Sequence, residues 1–188
     1  YHTREICGLK WSSSGRFLAS GADDCNVCIW DISASSFSNA NLNSGSNTNS
    51  NTPFKIIKEH KAAIKAIDWC PWQSNILATG GGKTDGTIKI WNIYNENQQI
   101  KSVETNSQIS GLIWSNKYRE LLSSHGYNNN NLNIWKYPSM EKIGELNGHS
   151  NRVLCVALSA NGEIVASLSA DQTIRFWECF KSDPVEKM

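Results

Sequence analysis

Serine, histidine and aspartate invite a chemical reading, because together they can supply a nucleophile, a base and an orienting carboxylate. In this sequence they recur in sets. Asp24, Asp85, Asn129 and Asp171 each stand six positions before a tryptophan: Trp30, Trp91, Trp135 and Trp177. Ser20, Thr79, Ser123 and Ser167 stand ten or twelve positions before the same four. His2, His60 and His149 lie further upstream, with Asn106 near the matching place in the third copy. A catalytic triad is one geometry at one site. A set repeated in register, each copy tied to a Trp, reads instead as structure. A buried indole N–H needs an acceptor, and a hydroxyl, an imidazole and a carboxylate can form one satisfied chain with it. The expected chains are Trp30-Ser20-His2-Asp24, Trp91-Thr79-His60-Asp85 and Trp177-Ser167-His149-Asp171. The third unit, with Trp135, Ser123, Asn129 and Asn106, is degraded and expected to be the least rigid.

Two further motifs point to chemistry that their surroundings do not support. Cys25-x-x-Cys28 is half of a zinc site, but no second C-x-x-C or spaced histidine pair accompanies it. Gly80-Gly81-Gly82-Lys83-Thr84 ends like a phosphate loop, yet Leu77 stands where its first Gly is required and a strand follows. No enzyme activity, metal or cofactor is expected. The six Cys sit mostly in apolar runs and are expected to be buried reduced thiols, as in a protein of the nucleus and cytoplasm.

Strands must position these sets. The four Trp are 61, 44 and 42 residues apart, and the last two intervals match the period of four-stranded propeller blades. Nine positions after the three His come Trp11, Trp69 and Leu158, with Trp114 in the matching place of the third copy. Stretches such as Thr87-Ile88-Lys89-Ile90-Trp91 alternate as strands do, and Gly-bearing turns separate them. Nothing reads as a helix. The fold expected is an all-β propeller with units at 1–58, 59–104, 105–146 and 147–180, the last lacking its outer strand, and a tail at 181–188. The Asn/Ser-rich stretch 38–52 reads as a solvated or disordered insertion between the third and fourth strands of the first unit, with Pro53–Ile57 resuming as the outer strand.

The 188 residues are 39% apolar and 19% charged, with a net charge of +1. That balance argues against binding nucleic acid by bulk electrostatics. No apolar run approaches the roughly 20 residues that span a bilayer.

The repeat resembles the WD40 family, with Trp30-Asp31 its best dipeptide match. Six ordered stretches are more specific: Glu5–Trp11, Ala66–Gln73, Ala78–Gly82, Ser124–Tyr127, Ile134–Pro138 and Gly148–Leu154. They resemble the C-terminal half of the Fizzy family, the substrate-recruiting activators of the anaphase-promoting complex. The resemblance implies a fragment of about four blades from a seven-bladed WD40 ring, which binds degron peptides of protein substrates and performs no bond chemistry. It implies partnership with the anaphase-promoting complex through regions mostly absent from this sequence. A WD40 scaffold without degron binding is the alternative.

The His and the Asp of one unit must meet, so their loops lie at one end of each blade and ring a central mouth. Asp23, Cys25, Lys83, Gln108 and Arg152 fall in those loops. In the Fizzy family this surface is the receptor for Lys-Glu-Asn degrons. Gln108 and Arg152 match family positions, whereas Asp23 and Cys25 replace Asn and Lys83 replaces Thr. The family holds its second degron class, the destruction box, between first and last blades; here Gln172 replaces the acidic residue used there. With only part of a ring present, the isolated chain is expected to self-associate.

Overall fold

The computed structural model describes residues 1–33, 52–95 and 99–180. The tail at 181–188 and all of the 38–52 insertion but Thr52 lie outside the described residues. Every regular element among the described residues is a strand, so the all-β expectation holds. The first sheet is β1 (Ile6–Trp11), β2 (Phe17–Ala22), β3 (Val27–Asp31) and β4 (Lys55–Ile57). The second is β5 (Ile64–Trp69), β6 (Ile76–Gly81), β7 (Thr87–Asn92) and β8 (Gln99–Glu104). The third is β9 (Ile109–Trp114), β10 (Glu120–His125), β11 (Leu132–Lys136) and β12 (Glu141–Leu146). The fourth has three described strands, β13 (Val153–Leu158), β14 (Ile164–Ser169) and β15 (Ile174–Glu178). Each sheet is an antiparallel meander and forms one blade.

The cores lie between blades. Phe17, Ile29, Ile64, Leu77, Trp69 and Trp91 fill the first junction. Ile88, Ile90, Ile109, Trp114, Leu121 and Trp135 fill the second, and Leu122, Leu132, Ile134, Val153, Val165 and Phe180 the third. A strand covered on both faces loses its alternation, and β6 is buried at all six positions. The outer β8 and β12 are mostly exposed. Close approach of sheets demands small residues: a Cβ on Gly80 would lie 2.4 Å from Ile109 Cγ2, and one on Gly21 2.5 Å from the Ile64 carbonyl oxygen. Large apolar side chains on β1 (Ile6, Leu9, Trp11) and on the fourth blade (Leu168, Ile174, Phe176) are exposed.

A second repeated device joins the inner strands. The Trp69 indole Nε1–H donates to the Lys10 carbonyl at 3.0 Å, and the Trp114 indole to the Asp68 carbonyl at 3.2 Å. Each indole thus reaches the residue before the corresponding Trp of the preceding blade. The Asp68 carboxylate also accepts the Trp114 backbone N–H at 2.8 Å and pairs with Lys10 Nζ at 3.0 Å. Burial still pushes the Asp68 carboxyl above its ordinary range, against the pull of Lys10 and these hydrogen bonds. The fourth blade has Leu158 at this position and offers no such donor. Lys117 Nζ to Glu163 Oε1 at 2.6 Å ties it to the third blade near the surface.

The expectation of buried thiols needs correction. All six Cys are free, Cys28 and Cys70 are buried, and Cys25 and Cys179 are partly buried, but Cys7 and Cys155 are exposed. Both exposed thiols lie on innermost strands. A bulge between Ile6 and Gly8 turns Cys7 out of the ladder, whereas the equivalent bulge in the fourth blade turns out Leu154 and leaves Cys155 paired with the exposed Leu168, on a face that no described blade covers. Burial raises the thiol pKa of Cys28 and Cys70. Brief alkylation with N-ethylmaleimide is therefore expected to label Cys7 and Cys155 first, read by peptide mass spectrometry. Labelling of Cys28 or Cys70 at the same rate would contradict this burial.

Candidate functional site

Three of the hydrogen-bonded chains are built alike. Trp91 Nε1–H donates to Thr79 Oγ1 at 2.7 Å, and His60 bridges Thr79 (Nε2, 2.7 Å) to Asp85 (Nδ1, 2.5 Å). Trp177 donates to Ser167 at 2.8 Å, with His149 2.7 Å from Ser167 and 2.9 Å from Asp171. Trp30 donates to Ser20 at 2.9 Å, with His2 2.9 Å from Ser20 and 3.1 Å from Asp24. Each carboxylate also accepts the backbone N–H after its His, at Thr3, Lys61 and Ser150. Burial raises the Asp85 carboxyl, but hydrogen bonds from His60, Thr87 and Lys61 outweigh it and hold that carboxyl down at about 2. Hydroxyls that accept an indole N–H while buried are not free nucleophiles.

The third blade departs from the expected set. Trp135 donates to Ser123 at 2.8 Å, but the ring beside Ser123 is His125, with Nε2 at 2.8 Å, and Asn133 Nδ2 lies 3.0 Å from the same nitrogen. Asn106 and Asn129 are exposed and take no part. Residues two apart on a strand share a face, so β10 carries its own histidine to the place that a loop histidine fills elsewhere. The positions two after Ser20 and Thr79 are Ala22 and Gly81, which leave room for the incoming ring and carboxylate. The third chain is thus buried but ends at His125 with no carboxylate on Nδ1, so it is the incomplete one of the four, with His125 rather than Asn106 at the ring position. His125 Nδ1, Asn131 Oδ1 and Asn133 Oδ1 have no hydrogen-bond partner among the described residues.

The residue after each carboxylate position adopts a left-handed conformation: Cys25 (φ 63°), Gly86 (φ 60°), Asn130 (φ 53°) and Gln172 (φ 66°). Only the second blade places Gly there. Cys25→Gly and Gln172→Gly are each expected to stabilise the fold by about 0.5–1 kcal/mol, net of the greater freedom of Gly when unfolded. Urea denaturation reads this, and an unchanged midpoint would show that the turn carries no strain.

The His-bearing and Asp-bearing loops gather at one end of the blades, as the hydrogen bonds between them require. There, three blades meet on Tyr127, in the β10–β11 turn. Lys83 Nζ of the second blade lies 4.9 Å from the ring centroid, and the Arg152 guanidinium of the fourth 5.2 Å from it. Arg152 Nη1 also donates to the Tyr127 hydroxyl at 2.6 Å. The Tyr127 carbonyl accepts from Ser107 Oγ at 2.9 Å, and the Gln108 carbonyl accepts the Gly126 N–H at 2.9 Å. A Cβ on Gly126 would lie 2.7 Å from Gln108 Oε1, so the Gln108 side chain rests over that turn. Lys83, Gln108 and Arg152 are therefore brought together around a ring. Asp23 instead pairs with Arg4 at 3.2 Å, Cys25 points its thiol at the Asp23 carbonyl, and Gln172 sits in the exposed β14–β15 turn. No hydrogen bond, ion pair or ring contact joins those three to Tyr127 among the described residues. No cluster of His, Cys, Asp or Glu among them has the makings of a metal site.

Sequence counting missed His125, Asn133 and Tyr127 as site residues. His125 was the one histidine of four without a place in the repeat, and its i, i+2 relation to Ser123 was the available signal. Tyr127 lay in the Ser124–Tyr127 stretch that carries the family resemblance, but its spacing gave no sign of a role at the mouth.

Blades built on an indole–hydroxyl–imidazole–carboxylate chain, arranged around a shared mouth, define a WD40 β-propeller. The CDC20/Fizzy WD40 domain matches residues 1–177, and the chain belongs to that family. It is 51% identical over 180 residues to "Cell division cycle 20.1, cofactor of APC complex" of Arabidopsis thaliana, covering 95% of this chain and 37% of the relative. It is 47% identical over 182 residues to "Anaphase-promoting complex subunit cdc20" of Dictyostelium discoideum, covering 97% of this chain and 34% of that protein. Arabidopsis FIZZY-RELATED 3 is 43% identical over 181 residues, covering 96% and 34%. A chain in the crystal structure of a mitotic checkpoint complex superposes with a TM-score of 0.84 at 39% identity, covering 96% of this chain and 51% of that one. The chain thus spans little more than a third of the length of these curated relatives.

Proposed function

We propose that this chain supplies the substrate-receiving face of an anaphase-promoting-complex cofactor, acting by binding degron peptides without bond chemistry. The observation that carries it is the Tyr127 cluster. Two cations from flanking blades sit on one half-exposed ring, in a chain whose relatives are named as cofactors of that complex. Arg presents a planar donor fork suited to a carboxylate, and a tyrosine beneath it fixes its direction. A Lys-Glu-Asn peptide offers such a carboxylate, with an amide for Gln108 to meet. Six free thiols support a reducing compartment, nucleus and cytoplasm.

The test is binding of a fluorescent Lys-Glu-Asn peptide to the chain beside Arg152→Ala. Saturable wild-type binding is expected, weakened about tenfold in the variant. Absence of wild-type binding would move the function to a WD40 scaffold.

A further inference from the structure

Lys83 and Arg152 share Tyr127 without a counter-charge: neither has a carboxylate within ion-pairing distance among the described residues. This contrasts with the first blade, where Asp23 neutralises Arg4, and with the third, where Glu145 neutralises Lys142. Both cations lie about 5 Å from one centroid, so they stand at most about 10 Å apart. Like charges at such a distance repel, and a ligand with a single carboxylate relieves only one of them. Their aromatic support gives them direction as well as charge. Lys83 also follows Gly82 and precedes the Asp85 turn, so its backbone is held by the Asp85 N–H to the Gly82 carbonyl (3.1 Å) and by the His60 chain below.

We propose that Lys83 is a specificity-determining residue, making this mouth select peptides that carry a second acidic side chain beside the one bound by Arg152. This inference rests on the degron-receptor reading and deepens it. The preferred ligand is a short, doubly acidic peptide, its two carboxylates spanning the ring of Tyr127, one on the guanidinium and one on the ammonium. A pair of acidic residues two positions apart in an extended peptide has the reach for this, since such side chains leave the same face of the backbone about 7 Å apart. The Tyr127 hydroxyl, already accepting from Arg152, keeps the guanidinium from swinging toward the second carboxylate, so each cation retains its own partner.

The experiment is a two-by-two comparison by fluorescence anisotropy on the full chain. One peptide carries Lys-Glu-Asn flanked on both sides by Glu, the other the same core flanked by Gln. The proteins are wild type and Lys83→Thr, an exposed substitution that spares the hydrogen-bonded chains. Wild type is expected to prefer the Glu-flanked peptide roughly three- to fivefold, and Lys83→Thr to show less than about half of that preference. The wild-type preference is expected to shrink in high salt. Equal preference in both proteins, or none in wild type, would overturn the role of Lys83 while the degron-receptor reading stands on the Gln-flanked peptide. Failure of both peptides to bind wild type would overturn both.

Discussion

Asp85→Ala is expected to lower the stability of the chain by about 3 kcal/mol, the scale seen when one member of a buried pair is deleted. The Asp85 side chain is 3% exposed and serves three donors: His60 Nδ1, Thr87 Oγ1 and the Lys61 backbone N–H. Removing it leaves all three unsatisfied and frees His60 to release Thr79, which holds the Trp91 indole at the first blade junction. Asp85→Asn keeps one acceptor and is expected to lose distinctly less, about 1–2 kcal/mol. Urea denaturation of the three proteins measures both. A loss under about 1 kcal/mol in Asp85→Ala would mean that solvent replaces the carboxylate without cost. The Asp85 carboxyl sits at about 2 against an ordinary 3.8. Its contribution is therefore complete above pH ~4 and is lost as the pH falls through about 2. Asp85→Ala should flatten the acid limb in that window.

A separate acid sensitivity is expected from His125, at higher pH. Burial above all, with Lys142 adding to it and Glu145 opposing, holds its pKa down from 6.5 to about 4. The imidazole is neutral in the folded blade and protonates readily once unfolded. Between those two values the unfolded state binds more protons, so stability falls as the pH is lowered from about 6.5 to about 4, by about 3 kcal/mol in all. Above about 6.5 both states are neutral and the term vanishes. Nδ1 has no partner among the described residues, and Nε2 meets only the neutral Ser123 and Asn133, so no carboxylate contacts the ring to hold a second proton. Urea midpoints from pH 7.5 to 4, compared between wild type and His125→Gln, read this out. The same slope in both proteins would show that other groups carry it.

The sequence made the propeller legible because its blades are chemically repetitive. Trp91, Thr79, His60 and Asp85 could be aligned with their counterparts by counting, since each blade solves the same problem of one desolvated indole. His125 escaped because counting measures distance along the chain, whereas a hydrogen-bonded chain needs only a ring in the right space. Strand alternation supplied that ring from β10, and Asn106 was freed from the duty. Cys7 escaped for a related reason: its apolar neighbours announce a strand, but a bulge decides which way a side chain leaves the strand, and no residue type marks it. Cys155 escaped because a strand pattern does not say whether another blade covers its face. At the mouth, Lys83, Gln108 and Arg152 were placed by their loops. Their convergence on Tyr127 depends on the rotation between blades, which one unit of sequence does not contain.

The indole ties between inner strands run in one direction. Trp114 reaches back to Asp68 and Trp69 back to Lys10, so every acceptor precedes its donor in the order of synthesis. A blade leaving the ribosome therefore docks on a finished carbonyl rather than waiting for a later partner. Assembly can proceed as a ratchet, each new blade locking the one before. Leu158 breaks the series at the fourth blade, which joins instead through packing, the Lys117–Glu163 pair, the Arg152–Tyr127 contact and the Lys65 ammonium on the Leu154 carbonyl. The fourth blade is thus held at its inner edge by side-chain cations rather than by an indole, and one of them, Arg152, is the cation it brings to the mouth.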